Sequence, residues 1–230
     1  MQFLESSVIG LRAAIYQFSS SEHNLEFVVF PMVHIGDPLY YQQILKQLGA
    51  CDNVIFEGVK SKKIWFLTQS YKIVAKRKSL GLVTQNSALR LKELPLNLIH
   101  GDVSEDKFNK AWSEIPLYFR ILVSLLAPLY GVYKYLSASR ESLAQGHTLD
   151  DLNTMEDLSD TDAEIALNKV ILDDRDRELI ATIEKHVKLH RNKQEKTAII
   201  YGAKHMPAVV TVLTTKFGYR VTNSEWVSAI

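Results

Sequence analysis

Cysteine occurs once in this chain, at Cys51, so no intramolecular disulfide can form. Such sparing use fits a reducing, cytoplasmic compartment. At the turn before a buried strand, Cys51 reads as structural rather than nucleophilic. No charge of either sign dominates: 27 Lys and Arg stand against 26 Asp and Glu. The chain therefore carries no global field suited to nucleic acid, and none is expected as a partner. Low-complexity tracts and long linkers are also lacking. Met1-Gln2-Phe3-Leu4-Glu5 has no basic segment and no uninterrupted apolar stretch, so no signal peptide is expected. Long hydrophobic runs are scarce. The apolar stretch 121–133 spans 13 residues between Arg120 and Lys134, short of the roughly 20 needed to span a bilayer. Pro128 and Gly131 are expected to break it. The region 115–136 is thus expected to be a buried or interfacial helix, at a homodimer contact or a membrane surface, rather than a membrane span.

What is present is apolar composition of 47% over 230 residues, enough for one large core or two small ones. Two look-alike units lie near the ends of the chain. The first reads Phe27-Val28-Val29-Phe30-Pro31-Met32-Val33-His34, then Gly36-Asp37-Pro38, a helical run to Leu48, Gly49, and the strand Asn53-Val54-Ile55-Phe56-Glu57-Gly58. The second reads Ala198-Ile199-Ile200-Tyr201-Gly202-Ala203-Lys204-His205-Met206-Pro207, a run to Lys216, Gly218, and Tyr219-Arg220-Val221-Thr222. Each is strand, histidine, proline at the helix start, helix, glycine stop and strand. Catalytic groups of α/β sheets collect at the carboxyl ends of strands, so His34 and His205 are expected to meet across one crevice.

Between the units, 60–78 holds seven basic residues and no acidic one, interleaved with Trp65, Phe66 and Tyr71. This reads as an amphipathic helix with a solvated lysine face. An apolar hairpin (12–18 and 25–33) leads into His34, with His23 solvated in its turn. A short strand over 94–99 ends in His100-Gly101-Asp102, and Pro95 suits a sheet edge. The acid-rich stretch 150–178 begins as a loop with Asp157, Ser159, Asp160 and Thr161 as turn and cap residues. Apolar spacings of 3 and 4 from Ala163 to Val187 then predict a helix. His147, His186 and His190 read as solvated.

Neutral imidazoles at strand ends are natural metal ligands or general bases. Glu57 closes an apolar strand, where a carboxylate is costly unless paired or metal-bound. Two histidines and a carboxylate form a ligand set for a divalent ion. His100 and Asp102 are possible additional members of this rim, and Asp102 equally suits a helix cap near Ser104. Arg175 could clamp a substrate carboxylate or stabilise an oxyanion, or join a surface salt-bridge ladder.

His34, the Phe56-Glu57-Gly58 strand end, the Arg175-Asp176 pair and Tyr201-Gly202-Ala203-Lys204-His205-Met206-Pro207 together resemble the TraB/PrgY/Tiki superfamily, whose signatures are two G-x-x-H motifs, a glutamate and an arginine. Gly202-Ala203-Lys204-His205 fits the second motif. Pro31-Met32-Val33-His34 departs from the first by proline in place of glycine. The resemblance implies an α/β fold of two repeats around one cleft: repeat one over about 10–60, a helical insertion over about 60–185 and repeat two over about 186–230, within one domain. It also implies a metal-dependent hydrolase, peptidase-like, with manganese or cobalt favoured and zinc open. Carried over, His34, Glu57 and His205 are the metal or catalytic residues, with Arg175 in support. The substrate would be a peptide or small molecule. Non-catalytic sequestration of a peptide or of haem is the alternative that the same resemblance implies.

Overall fold

Side chains alternate across a strand with period two, and here both sides are apolar. On the strand Lys196–Gly202, Ala198 and Ile200 join one buried cluster while Ile199 and Tyr201 join another. A sheet buried on both faces needs helices on both, which makes a layered α/β protein. The computed structural model describes residues 1–59, 61–145 and 162–230.

The strands are β1 (Leu4–Ser7), β2 (Gly10–Ser19), β3 (Glu26–Met32), β4 (Ile35–Gly36), β5 (Asn53–Phe56), β6 (Val83–Thr84), β7 (Asn97–His100), β8 (Lys196–Gly202) and β9 (Arg220–Ser228). Four of them, β3, β8, β5 and β7, lie side by side and parallel in that order. On the other side, β2 pairs antiparallel with β1, β3 and β9. The tiny β4 and β6 form a separate pair. β7 is an edge strand, but it begins at Asn97, so Pro95, expected near its start, lies before it.

Helix α1 (Pro38–Leu48) covers one face through Tyr40, Tyr41, Ile44 and Leu48. Asp37 caps it, accepting from Leu39 N–H at 3.0 Å. The opposite face is covered by the helix Asp174–His190, through Leu179, Ile183 and Val187, and by Met206–Thr211, through Met206 and Val209. Each of these side chains contributes roughly 1.5–3 kcal/mol of burial. Between the halves lie α2 (Lys62–Leu67), α3 (Gln69–Ala75), α4 (Gln85–Leu89), α5 (Glu105–Glu114), α6 (Leu117–Ser137) and α7 (Asp162–Asn168). α7 runs through a π-helical turn, Lys169–Asp173, into α8 (Asp174–His190), giving the long helix that the spacing predicted. α9 (Met206–Thr211) completes the set.

Four expectations change. The second unit does not repeat the first: its final strand, β9, returns antiparallel onto β2 instead of extending the parallel strands. Helix α6 is unbroken through Pro128 and Gly131. The missing proline hydrogen bond costs about 3 kcal/mol, and packing of α2 and α3 against α6 offsets it. Gly131 serves that packing, because a Cβ there would lie 2.6 Å from Ser70 Cα. His23 is half-buried against Tyr219, ring centroids 5.6 Å apart. His186 is buried, bonded to Thr197 Oγ1 at 2.8 Å and stacked on His190. The acidic loop residues Asp157, Ser159, Asp160 and Thr161, together with His147, lie outside the described residues.

Among the described residues, no single helix is long and apolar enough to cross a membrane; α5 and α6 qualify only as a pair bent by 114°.

Burial, assisted by the neighbouring His190, pushes the His186 pKa down from 6.5 to about 4. The unfolded chain therefore binds a proton that the folded chain refuses until about pH 4. Stability from this group is complete above pH 6.5 and is lost as pH falls towards 4, up to about 3 kcal/mol. Urea unfolding followed between pH 7 and 4 is expected to show this loss, and His186→Gln to flatten it.

Candidate functional site

Strand register decides which side chains share the rim. Met32 sits opposite Gly202, and Phe56 lies level with both Ile200 and His100. The carboxyl ends of β3, β8, β5 and β7 are therefore aligned, and the segments leaving them carry His34, His205, Glu57 and Asp102 within one rim. The two histidine-bearing strands are adjacent neighbours, whereas β5 is separated from β3 by β8.

Arg175 reaches this rim from the start of α8, immediately after the π turn, a kind of irregularity common at functional sites. Its Nε and Nη2 donate to Asp102 at 3.0 and 2.8 Å, and Nη2 also donates to Glu57 Oε1 at 2.5 Å. The Arg175 and Asp102 side chains are 7% and 0% exposed and Glu57 13%, so this is an interior ion cluster, not a surface ladder. The carboxylates are further satisfied by backbone donors. Gly58 N–H and Val103 N–H donate to Asp102, and Gly202 N–H donates to Glu57 Oε2 at 2.8 Å. Asp102 is thus a partner of Arg175. The helix α5 is capped by Ser104, which accepts from Lys107 N–H.

Gly202 serves through its backbone N–H, which donates to Glu57; a Cβ there would make only ordinary contacts, 3.4 Å from Glu57 Oε2 and 3.6 Å from His205. Pro31, the corresponding residue of the first unit, has no N–H to offer. Only the second unit supplies that donor.

His205 is buried on the short turn that enters α9, and its Nδ1 lies 2.6 Å from Asp176 Oδ1. A carboxylate there selects the Nδ1–H tautomer and leaves the Nε2 lone pair free. The Tyr201 ring packs edge-on to His205 at 4.7 Å and also lies under Arg175. His34, in the bend after β3, stacks on Tyr71 of α3 at 4.9 Å and 18°. Its ring reaches solvent, yet protein crowds it. That desolvation holds its pKa below 6.5; Glu57 opposes the shift, while Arg175 and His205 add to it. The neutral form of His34 is thereby favoured. Glu57 is desolvated, which alone would raise its pKa, but Arg175, His34 and His205 overcome this and bring it down to about 2.

The sequence-predicted residues His34, Glu57, Arg175 and His205 are therefore electrostatic neighbours, with Asp102 joined to them through Arg175. His100 stands aside: its Nε2 pairs with Gly58 O at 2.7 Å on the exposed rim. Asp176, Tyr71 and Tyr201 had no assigned role in the sequence reading. Asp176 adjoins Arg175, and Tyr71 lies within the basic stretch, but neither neighbourhood reveals which strand end it faces. A hollow of about 570 Å³ lined by Ser19, Glu26, Asp52 and Lys196 lies at the opposite, amino end of the strands and shares no residue with this cluster.

The arrangement defines an α/β protein with a His-Glu-Arg-His cluster at the carboxyl edge of its parallel strands. No known protein family, curated protein or solved structure matches the chain in comparison.

Removing Arg175 would leave two carboxylates buried without their cation. Arg175→Met is expected to cost about 3–5 kcal/mol at pH 7, read from urea midpoints. Glu57's share is present above pH 4.5 and is lost as pH falls towards about 2, so the gap between wild type and variant is expected to narrow below pH 4.5. A constant gap from pH 7 to 3 would contradict the ion cluster.

Proposed function

We propose that this chain is a metal-dependent hydrolase of the TraB/PrgY/Tiki type, acting on an amide or related acyl bond of a peptide or small molecule in the cytoplasm. The observation that carries the reading is the convergence of His34, Glu57 and His205 from three separate strand ends, with His205 oriented by Asp176.

The donor chemistry fits a divalent ion. Desolvation favours the neutral, ligating form of His34, and an Asp-oriented His205 is the usual partner arrangement of a metal-ligating histidine. Arg175, Glu57 and Asp102 together leave the interior one negative charge in excess, which favours a cation. Among the described residues, no three His, Cys, Asp or Glu side chains are already grouped as a cation cage. His34 and His205 would hold the ion, with Glu57 shared between it and Arg175. Bound there, manganese or cobalt, or else zinc, would supply Lewis-acid polarisation.

The chain's own residues divide the remaining work. Glu57, with its pKa near 2, remains ionised and is a weak proton acceptor at neutral pH, so its part is charge and ligation. Arg175 holds both carboxylates through Nε and Nη2 and acts as a positioning residue for Glu57 and Asp102. Tyr71 fixes the plane of the His34 ring from one side.

The test is a peptide-library digest with chelator and with each ion restored. Cleavage is expected only with ion, and is expected to vanish in His34→Ala/His205→Ala. Asp176→Asn is expected to lower metal affinity or activity about 10- to 100-fold while the fold persists by circular dichroism. Cleavage that survives chelator but not Asp176→Asn would replace the metal mechanism with a His–Asp base. Tight peptide or haem binding without cleavage under any ion would make the chain a sequestering protein.

A further inference from the structure

Helix α6 carries an apolar face that the described residues leave uncovered. Tyr118, Leu122, Leu125, Leu129, Val132 and Leu136 recur at steps of four and three, and all are exposed, Leu125 and Leu129 at 61% and 63%. Ile121, Leu126, Tyr130 and Tyr133 widen this to about half the helix circumference. A helix seam for one partner helix is a narrow stripe. This face is too broad for that geometry.

Basic charge predominates around it, with Glu114 and Glu141 standing beyond its two ends. No Asp or Glu occurs in 58–92 or in 115–140. The flanks of α6 carry Arg120 and Lys134. At its carboxyl end Arg77 donates to the carbonyl oxygens of Tyr135, Leu136 and Ala138, which fixes the Lys76-Arg77-Lys78 turn beside the apolar face, with Lys76 and Lys78 exposed. At the other end Glu114 is met by Lys169 at 3.7 Å. Four tyrosines of α6 and Trp65 of the adjoining α2 add the amphipathic rings that settle at a lipid–water boundary. Two copies of this chain docked through α6 would bring these basic rims together and repel each other. An anionic bilayer would neutralise them.

We propose that α6, with the basic turn 76–78, is a peripheral docking surface for the headgroup and outer acyl region of an anionic lipid bilayer, the helix lying in the plane of the membrane. The surface stands independently of any reading of the histidine site. Its partner is lipid, recognised by apolar area and negative charge.

The experiment is flotation of the full chain with phosphatidylcholine vesicles, with and without phosphatidylserine, at low and high salt, beside sedimentation equilibrium without lipid. Binding is expected to the anionic vesicles, to weaken with salt, and to fall at least about tenfold in both Leu125→Asp/Leu129→Asp and Lys76→Glu/Lys78→Glu. These side chains are exposed, so an unchanged circular dichroism spectrum is expected to show that the fold is retained. No binding to anionic vesicles, or equal binding to neutral ones, would overturn the proposal. So would a dimer that Leu125→Asp/Leu129→Asp dissolves while the wild type ignores lipid.

Discussion

The guanidinium of Arg175, held between Glu57 and Asp102, ties three parts of the chain that are distant in sequence. One carboxylate leaves β5, the other follows β7, and the cation arrives on α8 from the far side of the helical insertion. Burying any of these charges alone would be prohibitive, so each is tolerable only where the others are. The cluster therefore acts as a registry device. It fixes where α8 begins against the sheet and, through Gly202 N–H on Glu57, where β8 ends. Asp176 follows one residue later on the same helix, so the placement that satisfies Arg175 also brings a carboxylate to His205.

Much of this was readable in the residues. Alternating apolar positions and the Pro38 and Pro207 helix starts specify strand–helix units, and strand ends specify where polar side chains collect. That brought His34, Glu57 and His205 into one reading. Glu57 signalled itself as a charge closing a strand whose other residues are apolar. The helix 162–190 was visible in its 3–4 spacing, although the π turn at 169–173 was not, because one extra residue per turn hardly disturbs the pattern.

Other features were silent for physical reasons. Antiparallel return of β9 depends on which sheet edge is vacant, a global property that no local pattern encodes. Asp102 looked like a cap because Asx residues suit helix starts, yet Ser104 is two positions nearer and takes that role. His186 lay among Glu, Lys and Arg and looked solvated. Its helix turns it inward to Thr197, a contact that depends on tertiary packing. Pro128 looked like a breaker because a single rule was applied to an isolated helix, whereas packing by α2 and α3 holds this one together.

The position of β8 between β3 and β5 has a consequence for how the molecule is made. The two early strands never touch each other; each waits for residues 196–202 to slot between them. During synthesis, most of the chain must leave the ribosome before the parallel sheet can close, and the loop-closing entropy falls on this late insertion. The rim with both histidines consequently forms only once β8 has been made, so a nascent chain shorter than this cannot carry the finished site.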